Sequence, residues 1–128
     1  MLVNRLSNKI MMHVDELAEV EEYYLDDADE AIVAYGFTAR AALAAVEELR
    51  ASGRRVGLMR LRTLWPFPAR QVKELGSRVK RILVPEMNLG QMVYVVDATA
   101  DCEVVPFNQM NGAVIYPSSI VEALWRAA

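Results

Sequence analysis

The chain has 128 residues, 54% hydrophobic and 24% charged, with a net charge of −3. That length suits one globular domain that buries roughly two thirds of its unfolded surface without disulfide or metal, and the charge leaves no basic footprint for nucleic acid or an anionic membrane. Cys102 is the single cysteine, which excludes an intrachain disulfide and a four-cysteine metal or iron–sulfur site.

Cys102 reads as a buried, unreactive thiol, and one free thiol fits a reducing compartment. No run approaches the ~18 apolar residues of a transmembrane helix. The N-terminus lacks the apolar core of a signal peptide, so a cytoplasmic location is expected.

Residues 1–27 open amphipathically. Leu2, Leu6 and Ile10 recur at four-residue spacing, with Arg5 and Lys9 between them. The spacing predicts an interdomain or packing segment whose apolar side needs a partner surface, with the domain proper over 28–128. The acidic run that follows reads as a solvated approach to the first strand.

From there strands and helices alternate. Ala31–Tyr35 is a short apolar strand and Gly36 permits a turn. Thr38 is an expected N-cap, and Ala39, Ala42, Leu43, Val46 and Leu49 share one helical face. Gly53 ends that helix in the C′ manner. "RVGLMRL" predicts the second strand. "WPFPARQVKEL" predicts a turn and a helix with Pro68 at its first position and Val72 and Leu75 inward.

"RILVPE", nearly all apolar, predicts a third strand covered on both faces. "GQMVYVVDATA" is rich in β-branched residues, but Met92, Val95, Val96 and Thr99 share a helical face, and a helix is expected. "CEVVPFN" is the fourth strand. "PSSIVEALWRAA" closes as a helix, Pro117 near its start and Ile120, Leu124 and Trp125 inward. The alternation predicts an α/β sandwich around a largely parallel sheet.

Candidate sites are few. "YGFTAR" puts a glycine between strand and helix, where phosphates can sit. It lacks the other glycines of a dinucleotide fingerprint and the lysine of a P-loop, so it reads as a turn. Asp26, Asp27, Asp29 and Glu30 lack the spacing and the glycine of a calcium loop and read as a solvated acidic turn. His13, the only histidine, has no second ligand near it and reads as a surface or interface side chain. "RLRTLWPFP" places Trp65, Pro66, Phe67 and Pro68 at the C-terminal end of a strand, where ligands of open α/β sheets gather; core plug and partner contact both remain open. "VPEMNLGQ" lies at the same edge, where Asn88 can cap the next helix and Gly90 permits close approach by another chain.

Taken together, the "YG-F-TAR" turn, "R-x-x-G-x-x-V-G-L", "R-x-x-T-L-W-P-F-P" and "V-P-E-M-N-L-G-Q" resemble the C-terminal domain of the alpha subunit of 2-oxoacid:ferredoxin oxidoreductases. The resemblance runs from about Ala28 to the end, with a weaker echo in "RLSNKI". "PEMNLGQ" is more similar to the 2-oxoglutarate branch than to the pyruvate branch. The resemblance implies a three-layer α/β/α sandwich of the transketolase C-terminal type, with a mostly parallel sheet and one antiparallel strand.

It also implies membership of an enzyme that oxidatively decarboxylates a 2-oxoacid, reduces ferredoxin and forms an acyl-CoA. In such enzymes thiamine diphosphate, Mg, iron–sulfur clusters and CoA belong to other domains and to a thiamine-binding beta subunit. This chain has no magnesium–diphosphate motif and no cysteine cluster, so it is expected to bind no cofactor or metal, to supply no catalytic residue and to be inactive alone. Its expected partners are the remaining alpha-subunit domains and the beta subunit, with ferredoxin for the complex. The expected contacts are Arg62, Trp65, Pro66, Phe67, Glu86, Asn88, Gly90 and Gln91, with Glu86 accepting hydrogen bonds from a partner. One departure from the family is Tyr116 before Pro117, where a short hydroxyl often caps the last helix. The alternatives are a free-standing small-molecule-binding module, or the equivalent domain of a transketolase or a 2-oxoacid dehydrogenase beta subunit.

Overall fold

The computed structural model describes residues 19–64, 66–87, 91–109 and 115–127, with only the backbone of Met87, Gln91, Asn108 and Gln109. The expected amphipathic opening through residue 18, with His13, lies outside the described residues. In chain order the elements are β1 (Val20–Tyr23), β2 (Glu30–Tyr35), α1 (Thr38–Ala51), β3 (Val56–Leu61), α2 (Ala69–Arg78), β4 (Arg81–Met87), α3 (Gln91–Thr99), β5 (Glu103–Gln109) and α4 (Pro117–Ala127).

The strands form one sheet in the order β1-β3-β2-β4-β5. β1 runs antiparallel to β3 and the other pairs are parallel. One sheet face carries Ala31, Val33, Met59, Ile82 and Val84 under Val72 and Leu75 of α2 and Val93 and Val96 of α3. The other carries Ile32, Ala34, Leu58 and Leu83 under Ala42, Val46 and Leu49 of α1 and Ile120 and Leu124 of α4. This is the expected three-layer sandwich. Adjacent residues of each strand serve opposite layers because side chains alternate across a sheet.

Several local expectations change. Val20–Tyr23, "VEEY", inside the expected packing segment, is a strand of the sheet: its backbone pairs with Leu58–Leu61 while Glu21 and Glu22 pair with arginines. Thr38 is the first residue of α1 and not its cap; Phe37 holds that place without a side-chain cap bond. Pro68 likewise sits just before α2. α3 is the expected helix, but its buried stripe passes through Val93, Val96 and Ala100, leaving Val95 exposed. Trp125 turns outward, its ring stacked on the Arg54 guanidinium 4.7 Å away.

Two glycines are required by what surrounds them. At the end of α1 Gly53 adopts φ +89°. Its N–H donates to the Arg50 carbonyl and the Arg54 N–H to the Leu49 carbonyl, which closes the helix in a Schellman turn. Gly57 lies where the segment after β1 crosses β3, and a β-carbon there would meet the Tyr24 carbonyl oxygen at 2.7 Å.

Candidate functional site

The parallel strands deliver four loops to one edge of the sheet. Between β2 and β4 the winding reverses: β2 leads to β3 on one side and β4 to β5 on the other. Open sheets bind ligands at such a switch point because the two departing connections leave a crevice.

Here the sheet splits at that point. The β2–β4 pairing covers only Glu30–Ile32 against Arg81–Leu83. By contrast β2 stays paired to β3 as far as Tyr35–Leu61, and β4 to β5 as far as Met87–Gln109. Beyond Ile32 and Leu83 there are therefore two leaves, β1-β3-β2 and β4-β5.

Glu86 stands in the split, 1% exposed. Its Oε1 accepts from the Tyr35 hydroxyl at 3.0 Å and from the Met92 N–H at 2.8 Å, and its Oε2 accepts from the Val93 N–H at 2.9 Å. A carboxylate on the first free N–H groups of a helix is stabilised both by charge-assisted bonds and by the helix dipole. Burial, then the bond to Glu86, push the Tyr35 hydroxyl up to about 12, so it remains a donor throughout the neutral range. The donors that Glu86 was expected to take from a partner thus come from this chain, and Glu86 caps the first turn of α3; the cap expected of Asn88 lies outside the described residues.

Of the eight residues expected at an interface, Trp65, Asn88 and Gly90 lie outside the described residues, as does the Gln91 side chain. Pro66 is buried, and half-buried Phe67 packs against the core beneath α2 and α3. Arg62 faces solvent at this edge, its Nη1 2.9 Å from Glu21 Oε1. Three residues that were not among the expected contacts are exposed in the loops there: Phe37 (87%), Leu64 (42%) and Tyr116 (62%). They occupy the loops before α1, α2 and α4. The available signal was an aromatic residue between Gly36 and Thr38 that belongs to no strand alternation or helical stripe.

The opposite edge holds a buried ion cluster. Glu30, expected in a solvated turn, begins β2 and is 3% exposed. It accepts from Arg54 Nε at 2.7 Å, Arg54 Nη2 at 2.8 Å and Arg81 Nη1 at 2.7 Å. Burial pushes its carboxyl up, but these bonds outweigh burial and hold it below the usual range. Arg54 Nη2 also donates to the Leu124 carbonyl at 2.8 Å, satisfying a free carbonyl near the end of α4. Asp27 and Asp29 stay exposed and pair with Arg50 and Arg55. This cluster is sealed and ties elements together; it offers no access for a substrate.

Cys102 is half-buried, and burial raises its thiol above the ordinary value. Among the described residues no three His, Cys, Asp or Glu side chains converge as metal ligands. None of the described helices is long and apolar enough to cross a membrane.

Comparison with known proteins places this architecture. Residues 28–120 match the family described as pyruvate:ferredoxin oxidoreductase core domain II. The 2-oxoglutarate synthase subunit KorA of Methanothermobacter marburgensis is 35% identical over 127 residues, covering 96% of this chain and 33% of that protein. The ketoisovalerate oxidoreductase subunit VorB of Methanothermobacter thermautotrophicus is 39% identical over 109 residues, covering 84% of this chain and 31% of that protein. The chain thus spans about a third of the length of these relatives.

Among solved structures, the 2-oxoglutarate:ferredoxin oxidoreductase of Magnetococcus marinus, with 2-oxoglutarate, coenzyme A and succinyl-CoA bound, superposes with a TM-score of 0.85 at 26% identity, over 98% of this chain and 22% of that one. A split-gene transketolase, an inactive beta4 tetramer, superposes with a TM-score of 0.69 at 20% identity, over 84% of this chain and 41% of that one, and shares the fold. The chain belongs to the pyruvate:ferredoxin oxidoreductase core domain II family.

Proposed function

We propose that this chain is the assembly domain, over 28–128 with 1–27 as a packing segment that lends β1 to its sheet, of the alpha subunit of a 2-oxoglutarate:ferredoxin oxidoreductase. It docks through the C-terminal edge of its sheet onto the remaining alpha-subunit domains and a thiamine-binding beta subunit, in the cytoplasm. The observation that carries this reading is the exposure of Phe37, Leu64 and Tyr116, one in each of three loops at this edge, beside a switch point filled by the chain's own Tyr35 and Glu86. Where an open α/β sheet takes a small ligand, that crevice is free. Here it is occupied from within, and the apolar groups face outward as contact residues do.

The chemistry of the described residues fits contact better than catalysis. Thiamine diphosphate, Mg, iron–sulfur clusters and CoA would serve the complete enzyme, thiamine stabilising the carbanion and the clusters moving electrons to ferredoxin. One half-buried cysteine cannot ligate a cluster, and no carboxylates converge to hold a metal with a diphosphate among the described residues. No catalytic step is assigned to this chain.

The test is assembly of the complete oxidoreductase carrying Phe37→Ala with Tyr116→Ala. Both side chains are exposed, so the domain keeps its unfolding midpoint while assembly and turnover fall together. Unchanged assembly refutes docking through this edge. A saturable thermal shift of the chain alone with 2-oxoglutarate points to the small-molecule reading instead.

A further inference from the structure

We infer that Tyr35 and Glu86 act as a strut that couples the two leaves of the split sheet and holds two corners of the C-terminal edge in fixed relation. The register of β2 with β4 ends at Ile32 and Leu83, although β2 continues to Tyr35 and β4 to Met87. Backbone pairing is what normally fixes the distance and angle of neighbouring strands. Over this stretch the hydrogen bond from the Tyr35 hydroxyl to Glu86 Oε1, at 3.0 Å, spans the gap.

Each end of the strut sits at the base of a corner. Tyr35 is followed by Gly36, at φ +61°, and by Phe37, with the Ala39 and Arg40 N–H groups bonded back to the Gly36 and Phe37 carbonyls. Glu86 in turn receives the first-turn N–H groups of Met92 and Val93. One carboxylate therefore touches the start of α3 directly and the start of α1 through Tyr35. Removing the Tyr35 donor leaves this buried acceptor short of a partner, so opening either helix start to water costs less.

Tyr35 is half-buried and packs on the core beneath α2 and α3, so Tyr35→Phe keeps the packing and deletes only the bridging hydroxyl. The importance of the corners for docking rests on the function proposed above. The coupling itself concerns this chain alone and is tested on it alone.

Hydrogen exchange in Tyr35→Phe reads the coupling directly. The expected result is exchange accelerated about fivefold, as for the loss of one hydrogen bond, at Met92 and Val93 and also at Ala39 and Arg40. Amides of the paired centre, such as Ile32 and Leu83, change only by the small shift in global stability. Glu86→Gln, which keeps an acceptor for Tyr35 but gives up the charge at α3, perturbs α3 more than α1.

A uniform change across the sheet overturns the strut, because it reports global stability only. So does a change confined to one corner, or none. If Tyr35→Phe opens both corners while Phe37→Ala with Tyr116→Ala leaves assembly intact, the strut stands and the docking reading falls.

Discussion

Replacing Glu30 by alanine should be among the most damaging single changes in this chain. Its carboxylate is 3% exposed and accepts three bonds of 2.7, 2.8 and 2.7 Å. The guanidiniums that remain are themselves nearly enclosed, with side chains 10% (Arg54) and 14% (Arg81) exposed. Arg81 Nε lies 3.6 Å from Glu103 Oε2, an ion-pair distance too long for a hydrogen bond. Removing one partner of a buried ion pair costs about 3–5 kcal/mol, because the other charge stays buried unpaired. Domains hold about 5–15 kcal/mol in total, so Glu30→Ala consumes a large share of that stability.

Urea unfolding followed by circular dichroism measures the loss. The companion Glu30→Leu, Arg54→Met, Arg81→Met triple removes the three buried charges and leaves only the exposed Glu103, and such replacements are often neutral or stabilising. A single variant that loses less than about 1 kcal/mol, or a triple that fares worse than the single, refutes the reasoning. The acid arm has a definite sign. The folded-state pKa of Glu30 is depressed below 4.5, so its contribution is complete above that ordinary value and disappears as pH falls through the lower folded value. In Glu30→Ala the corresponding part of the acid destabilisation is missing.

Two further outcomes follow from burial. Gly57→Ala places a β-carbon against Leu25 Cδ2, which can move, and 2.7 Å from the Tyr24 carbonyl oxygen, which cannot without shifting the backbone. A loss of about 1–3 kcal/mol, the range for overpacking, is expected in the same urea assay, and a neutral result shows that the segment after β1 yields freely. Cys102 should react with iodoacetamide at pH 7 more slowly than free cysteine, since burial raises its thiol. An equal or faster rate contradicts that environment.

The parallel core was legible because its physics is local. Strands such as "RILVPE" are apolar throughout where both faces are covered, and the alanine face of α1 has the 3.6-residue period of a helix packed on a sheet. β1 was not legible, because an edge strand pairs with one neighbour only and "VEEY" carries charges wherever it meets water. Glu30 was hidden for a related reason: in sequence it belongs to "DDADE", and only the fold brings Arg54 and Arg81 to it. At the candidate site the sequence grouped Arg62, Phe67 and Glu86 at one edge of the sheet but did not reveal the donors of Glu86, which lie 51 residues earlier in Tyr35 and inside the next helix. Whether a polar group has a partner is a property of tertiary neighbours, which spacing along the chain does not carry.

The bond from Arg54 to the Leu124 carbonyl joins residues 70 positions apart. It makes the order of synthesis matter. While β2, α1, β3, α2, β4, α3 and β5 emerge, Ile120 and Leu124 are still to come, and the layer they complete over Leu83 is open to solvent. Arg54 and Glu30 can already meet, but the enclosure that strengthens their pairing is finished only when α4 docks. The growing chain therefore exposes this apolar surface until α4 has emerged and docked.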